Sequence, residues 1–220
     1  MTDAPAALAK IIGTTLASTD KLGTPQGLGQ ILATAFYVDR TVGGGFLSEQ
    51  AQKILGLLAE GIEALGYPVK HAPEYVWYLV CRYGEMSVKA TTPSKLEIIY
   101  AAFFSEFSKE FAQDADVAMF RDLVEKIDYN EAVFLAGLWS YYAERRQNAW
   151  EPLTREPAHT DYHTARSLSS KGELFVAVAN KPSSQMTDDY PRLALRVYVC
   201  ATPALECFVK FVKLTGTPAI

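Results

Sequence analysis

Residues 94–111, with the sequence SKLEIIYAAFFSEFSKEF, decide the fold class of this chain. Their apolar side chains recur every three or four positions, which is the spacing of one helix face: Leu96, Ile99, Phe103, Phe107 and Phe111, widened by Tyr100 and Phe104. Thr92 and Pro93 precede them, and this pair is typical of a helix start because the proline needs no backbone donor. We therefore predict a helix after Thr92 and interpret the stripe as core rather than as a cofactor site.

The segment before it, Pro73 to Tyr83 (PEYVWYLVCRY), is almost continuously apolar. Such a segment is typical of a buried central helix, which we expect to end at Gly84. Its β-branched and aromatic residues leave a strand as the alternative.

The same signals predict further helices on both sides of this pair. The expected ranges are Pro5–Leu16, Pro25–Asp39, a helix capped by Ser48 and ending before Gly66, Asp116–Ile127, and a helix capped by Asn130. The apolar face of the last is expected to include Val133, Phe134, Leu138, Trp139 and Tyr142.

The pattern changes after Asn148. Residues 148–171 have no apolar period and are expected to form a long loop. Residues 173–179 and 193–200 are β-prone and predict a short antiparallel β-ribbon. Residues 203–214 follow the pair Thr202-Pro203, which is typical of a helix start, but their apolar side chains also alternate as in a strand. Both helix and strand therefore stay open.

The expected fold is therefore mainly α, a bundle-like body of six or seven helices with the ribbon in its C-terminal third. We predict one domain, in which residues 1–147 form the helical body with an N-terminal arm. Residues 148–220 are expected to pack on the same domain.

Composition limits the classes of function. The 220 residues are 49% apolar and 21% charged, with a formal net charge of −4, which argues against binding nucleic acid through overall charge. The charge is uneven, since residues 1–139 carry 17 acidic and 11 basic side chains and residues 140–220 carry 8 and 10. An anion-binding surface is therefore sought in the C-terminal part.

The expected compartment is the cytoplasm. Three cysteines lack metal or redox spacing, so buried thiols in a reducing environment are expected. No signal peptide and no apolar run of about 18 residues is present, so we expect neither secretion nor a membrane partner.

A basic, aromatic stretch provides the candidate nucleic-acid-binding residues: Arg145, Arg146, Trp150, Arg155, Arg166 and Lys171. Guanidinium groups bind phosphate oxygens and aromatic faces stack on bases, which suits single-stranded RNA. The alternative is a solvated loop with local ion pairs. Arg145 and Arg146 also fit a helix end, where cations interact favourably with the dipole.

His159, Asp161 and His163 are ligand types for zinc or iron, but no cysteine is nearby and the spacing is unspecific, so no metal is predicted. No nucleophile elbow, phosphate-binding loop or dinucleotide fingerprint occurs, and no catalytic residue or cofactor is predicted.

These observations favour a non-enzymatic, self-assembling structural or interaction protein, a homo-oligomer of coat or nucleocapsid type that contacts RNA phosphates. One alternative is a small helical enzyme or ligand-binding regulator. Its pocket would lie between residues 73–83 and 93–113, with His71 or the pair His159 and His163 as acid-base groups. Another alternative is an adaptor that binds no nucleic acid.

Overall fold

The computed structural model describes residues 22–42, 47–111, 116–145, 151–153, 164, 167–168, 171, 175–178, 197–201 and 203–213. The described residues up to Val117 form one compact unit, and those from Ala118 form a second. Seven helices lie in this described part, which is mainly α. The prediction that residues 1–147 form a helical body and that residues 148–220 pack on the same domain stays a prediction.

The first unit contains four helices: α1 (Pro25–Val42), α2 (Glu49–Ala64), α3 (Pro73–Lys89) and α4 (Pro93–Glu106). Helix α1 packs against both α3 and α4. The predicted helix Pro5–Leu16 lies outside the described residues.

Hydroxyl caps begin three of these helices, as predicted. Each cap accepts a backbone N–H bond at 3.2 Å: Thr24 from Gly27, Ser48 from Ala51, and Thr92 from Lys95. Each bond satisfies one of the N–H groups that the first helical turn leaves without an intrahelical partner.

Gly66 ends α2 in the predicted way. Its φ of 86° lies in the left-handed region that glycine adopts without strain. The next N–H, from Tyr67, donates to the Ile62 carbonyl at 3.1 Å, which completes a Schellman C-cap.

The predicted stripe, which runs through α4 and continues beyond its last residue to Phe111, forms much of the first unit's core. Phe103 is fully buried, and Phe104, Phe107 and Phe111 are at most 5% exposed. The Phe103 ring lies edge-on to the Tyr83 ring, with centroids 5.5 Å apart. Aromatic pairs of this geometry add to the free energy gained by burial.

Helix α3 corrects one boundary. The segment is a helix rather than a strand, but it continues through Gly84 to Lys89. Gly84 is buried, and a Cβ atom there would overlap the backbone carbonyl of Leu32 in α1. This glycine therefore serves the close approach of two helices and does not stop α3.

The second unit contains α5 (Val117–Lys126), α6 (Tyr129–Arg145) and α7 (Pro203–Phe211). The open choice for residues 203–214 is thus resolved as a helix over most of its length. Phe208 and Phe211 of α7 are fully buried, and their ring centroids lie 5.8 and 5.7 Å from that of Phe120 in α5.

Three short strands complete the second unit: β1 (Glu151–Leu153), β2 (Phe175–Val178) and β3 (Val197–Ala201). They are antiparallel in the order β1-β3-β2. Strand β1 lies within residues 148–171, so the prediction of a loop is wrong over this short stretch. The partner of β1 is the distant strand β3, and no local sequence pattern signals such a pairing. The predicted ribbon of residues 173–179 and 193–200 extends into residues outside the described part, and it stays a prediction over that length.

The buried face of α6 differs in part from the predicted one. Among the described apolar residues of α6, Ala132, Leu135, Ala136 and Leu138 are buried, whereas Val133 is 40% exposed and Phe134 and Trp139 are half-buried. The prediction is therefore confirmed for Leu138 and wrong for Val133. The side chain of Tyr142 lies outside the described part.

Candidate functional site

The best-defined polar cluster lies at the N-terminus of α6. The Glu131 N–H donates to Asp128 Oδ1 at 2.8 Å, and the Asp128 N–H donates to Glu131 Oε2 at 2.9 Å. This reciprocal pair is a capping box, so Asp128 is the cap and the prediction of Asn130 was wrong. Acidic side chains at this end also interact favourably with the helix dipole.

Lys171 binds the same carboxylate from a distant part of the sequence. Its Nζ lies 2.6 Å from Glu131 Oε1 and 2.8 Å from Oε2. Ser167 Oγ donates to Oε1 at 2.6 Å. Glu131 is 4% exposed, so its charge is buried with a cation and two further donors. Such pairing is what burial of a carboxylate requires.

This set of donors determines the protonation of Glu131. Burial by itself raises the pKa of the carboxyl. The hydrogen bonds from Lys171, Ser167 and the Asp128 backbone, with the positive charge of Lys171, outweigh burial and lower the pKa below its ordinary value of 4.5. Glu131 is therefore ionised at neutral pH.

A short buried anchor holds the lysine in place. Leu168 is 2% exposed, and the Lys171 N–H donates to the Leu168 carbonyl at 2.9 Å. The Lys171 side chain keeps 28% exposure, so part of it is open to solvent. The cluster thus places a partly exposed lysine beside a buried anion.

Most of the other candidate nucleic-acid-binding residues lie outside the described part of the chain. Arg145 is the last residue of α6, which agrees with its predicted position in the last helical turn. Arg146, Trp150, Arg155 and Arg166 lie outside the described residues. Lys171 alone of this set has a described side chain, and that side chain is engaged by Glu131. The structure does not bring the set together as one described surface.

The metal candidates His159, Asp161 and His163 also lie outside the described residues. Within the part that the structure describes, no group of three or more His, Cys, Asp or Glu side chains could hold a metal ion.

The alternative acid-base residue, His71, lies in the first unit among aromatic rings. Its ring centroid is 5.1 Å from that of Tyr75 and 5.7 Å from that of Phe107. His71 Nε2 lies 3.1 Å from the Glu106 carbonyl oxygen, which can only accept, so Nε2 carries the proton. This ring is held as a packed, hydrogen-bonded side chain.

A buried carboxyl accompanies it. The Tyr83 hydroxyl donates to Glu106 Oε1 at 2.9 Å, with Tyr83 fully buried and Glu106 only 3% exposed. This bond ties α3 to the end of α4. Sequence analysis did not single out Glu106, because an acidic residue inside an apolar stripe has no local signal for its partner.

Cys81 is disfavoured as a nucleophile by its surroundings. Burial, with the nearby charge of Asp39, raises the pKa of the thiol to about 12. The thiolate, which is the reactive form, is therefore scarce at neutral pH. Asp39 itself accepts a hydrogen bond from the Trp77 indole at 3.0 Å.

Comparisons with known proteins add no assignment. No protein-family model matches the sequence, and no curated protein or solved structure shows a significant match to it. In the described residues, no helix has the length and apolar character needed to cross a membrane.

Sequence analysis missed Glu131 as the partner of Lys171. The spacing Asp-x-x-Glu at 128–131 was visible as a capping-box signal. The ion pair itself joins residues 40 positions apart, and sequence spacing carries no signal for such a contact.

Proposed function

We propose that this protein is a non-enzymatic, self-assembling structural protein of coat or nucleocapsid type, in which residues 145–171 contact the phosphates of single-stranded RNA. The protein acts in the cytoplasm and binds no metal or cofactor. An adaptor without nucleic acid is the second candidate, favoured by the engagement of Lys171 with Glu131.

The composition of one segment carries the proposal. Residues 145–171 contain five basic and three acidic side chains, together with Trp150, Tyr162 and two histidines. The net charge of the whole chain is −4. Local positive charge with an aromatic ring suits a backbone-tracking interaction with single-stranded RNA.

Exposed apolar side chains support self-association. The first unit carries several large ones at the surface: Leu47 (74%), Tyr78 (49%), Tyr37 (48%), Leu65 (43%), Val88 (41%) and Tyr75 (38%). Tyr75 and Tyr78 stack with centroids 5.9 Å apart. Exposed tyrosines are typical of protein interfaces, because they bury a large area with little loss of side-chain freedom. The β-ribbon, if it extends as predicted, adds strand edges that a neighbouring chain could pair with.

Two observations disfavour the enzyme alternative. The Cys81 thiol has its pKa raised to about 12, and the His71 ring is packed between rings and bonded to a backbone carbonyl. The first is poorly suited to act as a nucleophile, and the second has structural contacts that account for its placement.

Light scattering of the purified protein, combined with its A260/A280 ratio, tests assembly and RNA content together. A large, nucleic-acid-containing particle supports the proposal. A monomer free of nucleic acid contradicts it and favours the adaptor.

The RNA contact is tested by replacing Arg145, Arg146, Arg155 and Arg166 together with Gln. We expect weaker binding to every single-stranded RNA and a flatter plot of log affinity against log salt, because fewer counterions are released from the RNA when fewer phosphates are contacted. Fluorescence anisotropy over a salt series measures both.

The matched control removes four charges elsewhere, from exposed lysines of the first unit: Lys53, Lys70, Lys89 and Lys109. It should leave the slope close to that of the parent. Equal slopes for the parent and the arginine variant would show that the basic stretch is a solvated loop.

A further inference from the structure

The contact between Lys171 and Glu131 resembles the contact that Lys171 would make with RNA. The ammonium lies within 2.8 Å of both carboxylate oxygens, and a phosphate offers the same pair of anionic acceptors. One lysine cannot satisfy both anions at full strength. The carboxylate and the RNA phosphate are therefore competitors for one cation.

We propose that Glu131 is a built-in competitor of RNA phosphate for Lys171, so that RNA binding at this lysine is held in check by the cap of α6. The inference rests on the proposed function, and it adds a regulatory contact to that site. In the RNA-free protein the ammonium is held by Glu131. In the complex it moves to a phosphate.

The surroundings of Lys171 permit this exchange without unfolding the segment. Leu168 is buried and stays as the anchor, while the Lys171 side chain is 28% exposed and has a flexible four-carbon stem. The proposed exchange moves the ammonium group and leaves Leu168 buried.

Glu131 also keeps partners when the lysine leaves. Ser167 Oγ and the Asp128 N–H still donate to its two oxygens. The loss of Lys171 nevertheless leaves a buried carboxylate without its cation, which is costly. That cost opposes RNA binding, and it disappears when residue 131 is neutral.

Glu131→Gln is the direct test, because its amide oxygen still accepts hydrogen bonds while the charge is removed. With an unstructured oligouridylate as probe, we expect about two- to fivefold tighter binding at low salt, the scale of one accessible ion pair. The salt slope should stay close to that of the parent, because Lys171 contacts a phosphate in both complexes. Fluorescence anisotropy over a salt series measures both quantities.

Three further variants identify the cause. Lys171→Gln should bind RNA more weakly than the parent, because it loses the phosphate contact, and adding it to Glu131→Gln should abolish the gain. Asp128→Asn removes the same amount of charge from the same cap without touching Lys171, and it should change affinity less than Glu131→Gln does. A gain that survives in the double variant, or that Asp128→Asn matches, overturns the inference.

A measurement on the unaltered protein covers the case in which Glu131→Gln fails to fold. Acetylation of individual lysines is followed by mass spectrometry with and without the oligouridylate. RNA should slow the labelling of Lys171 and leave that of Lys53 unchanged, since Lys53 is paired with Glu49 in the first unit. Equal labelling of Lys171 in both samples, while RNA binds, overturns the inference and leaves the proposed function intact. If no RNA binds to any of the proteins, the proposed function fails and this inference fails with it.

Discussion

At the scale of single residues, Glu131 decides how the second unit is held together. Its carboxylate accepts the Asp128 N–H of the capping box and accepts hydrogen bonds from Ser167 and Lys171 of a distant segment. One buried anion thus joins a helix start to a tertiary contact. Its removal should weaken both.

The lowered pKa of Glu131 gives a prediction with a definite sign. A carboxyl whose pKa is lower in the folded state stabilises the protein above its unfolded-state pKa, and this contribution is lost as pH falls through the folded-state pKa. We expect Glu131→Gln to lower the free energy of unfolding by roughly 1–3 kcal/mol at neutral pH. The difference from the parent should shrink below about pH 4.5, where the parent carboxyl begins to be protonated in the unfolded chain.

Urea denaturation followed by circular dichroism from neutral to acidic pH measures this difference. Glu49→Gln is the matched control. The pKa of Glu49 is also lowered, through its bond to Lys53, but that pair is exposed and should contribute little at any pH. A difference for Glu131→Gln that stays constant with pH would show that charge is not the stabilising feature.

Residue-scale features were predictable where the signal is local. The hydroxyl caps Thr24, Ser48 and Thr92 and the left-handed Gly66 follow from propensities that act within four residues. The bond between Tyr83 and Glu106 joins two helices, and its partners are chosen by packing. Local spacing contains no information on that choice.

At the scale of elements, Gly84 shows how a stop signal in sequence can have a different structural role. A glycine that ends a helix does so because its backbone can adopt left-handed dihedral angles. Gly84 of α3 is needed for a different reason: it has no side chain, and the backbone of α1 at Leu32 lies against it. The sequence alone cannot separate these two uses.

We predict that Gly84→Ala destabilises the first unit even though alanine is the better helix former. A methyl group at this position overlaps backbone atoms of Leu32, which cannot move aside as a side chain can. The expected loss is roughly 1–3 kcal/mol, the usual cost of overpacking. Thermal and urea unfolding measure it.

Gly56→Ala is the matched control for this prediction. Gly56 lies in α2, is exposed, and has no neighbouring atom within 4 Å of an added Cβ. Alanine there should stabilise the protein by about 0.5–1 kcal/mol. If both alanine variants gain stability, helices α1 and α3 are not in the close contact described.

The faces of helices were predictable only in part. The stripe of α4 is correct because large apolar residues fill one side of it. In α6 the buried side carries Ala132 and Ala136 beside Leu135 and Leu138. A pattern weighted by side-chain size gives alanine little weight, so it identified Leu138 correctly but also chose Val133, which is 40% exposed.

At the scale of the whole molecule, the mainly helical class was predictable because it sums over many local signals. The division at Val117 was not, since no run of proline, glycine or charge marks it and α5 crosses it. Function is less accessible still. The candidate residues for RNA binding are ordinary surface types whose meaning depends on where the fold places them.

The ends of the chain provide the test of assembly. Helix α7 carries Leu205, Phe208 and Phe211, all fully buried, and its rings contact Phe120 within the second unit. Helix α7 therefore packs within its own chain. The segment Met1–Ser18 is the remaining candidate for exchange between subunits.

We predict that deleting Met1–Ser18 reduces assembly more than it reduces folding, because a segment that docks on a neighbour contributes to association rather than to the intramolecular core. Deleting residues 203–220 serves as the contrast and should lower helix content and stability, since it removes the buried side chains of Leu205, Phe208, Val209, Phe211 and Val212. Circular dichroism reports folding, and sedimentation velocity on the same samples reports assembly. If the N-terminal deletion loses helix stability and assembly in equal measure, Met1–Ser18 belongs to the core of its own chain, and self-association must then depend on exposed surface such as that around Tyr75 and Tyr78.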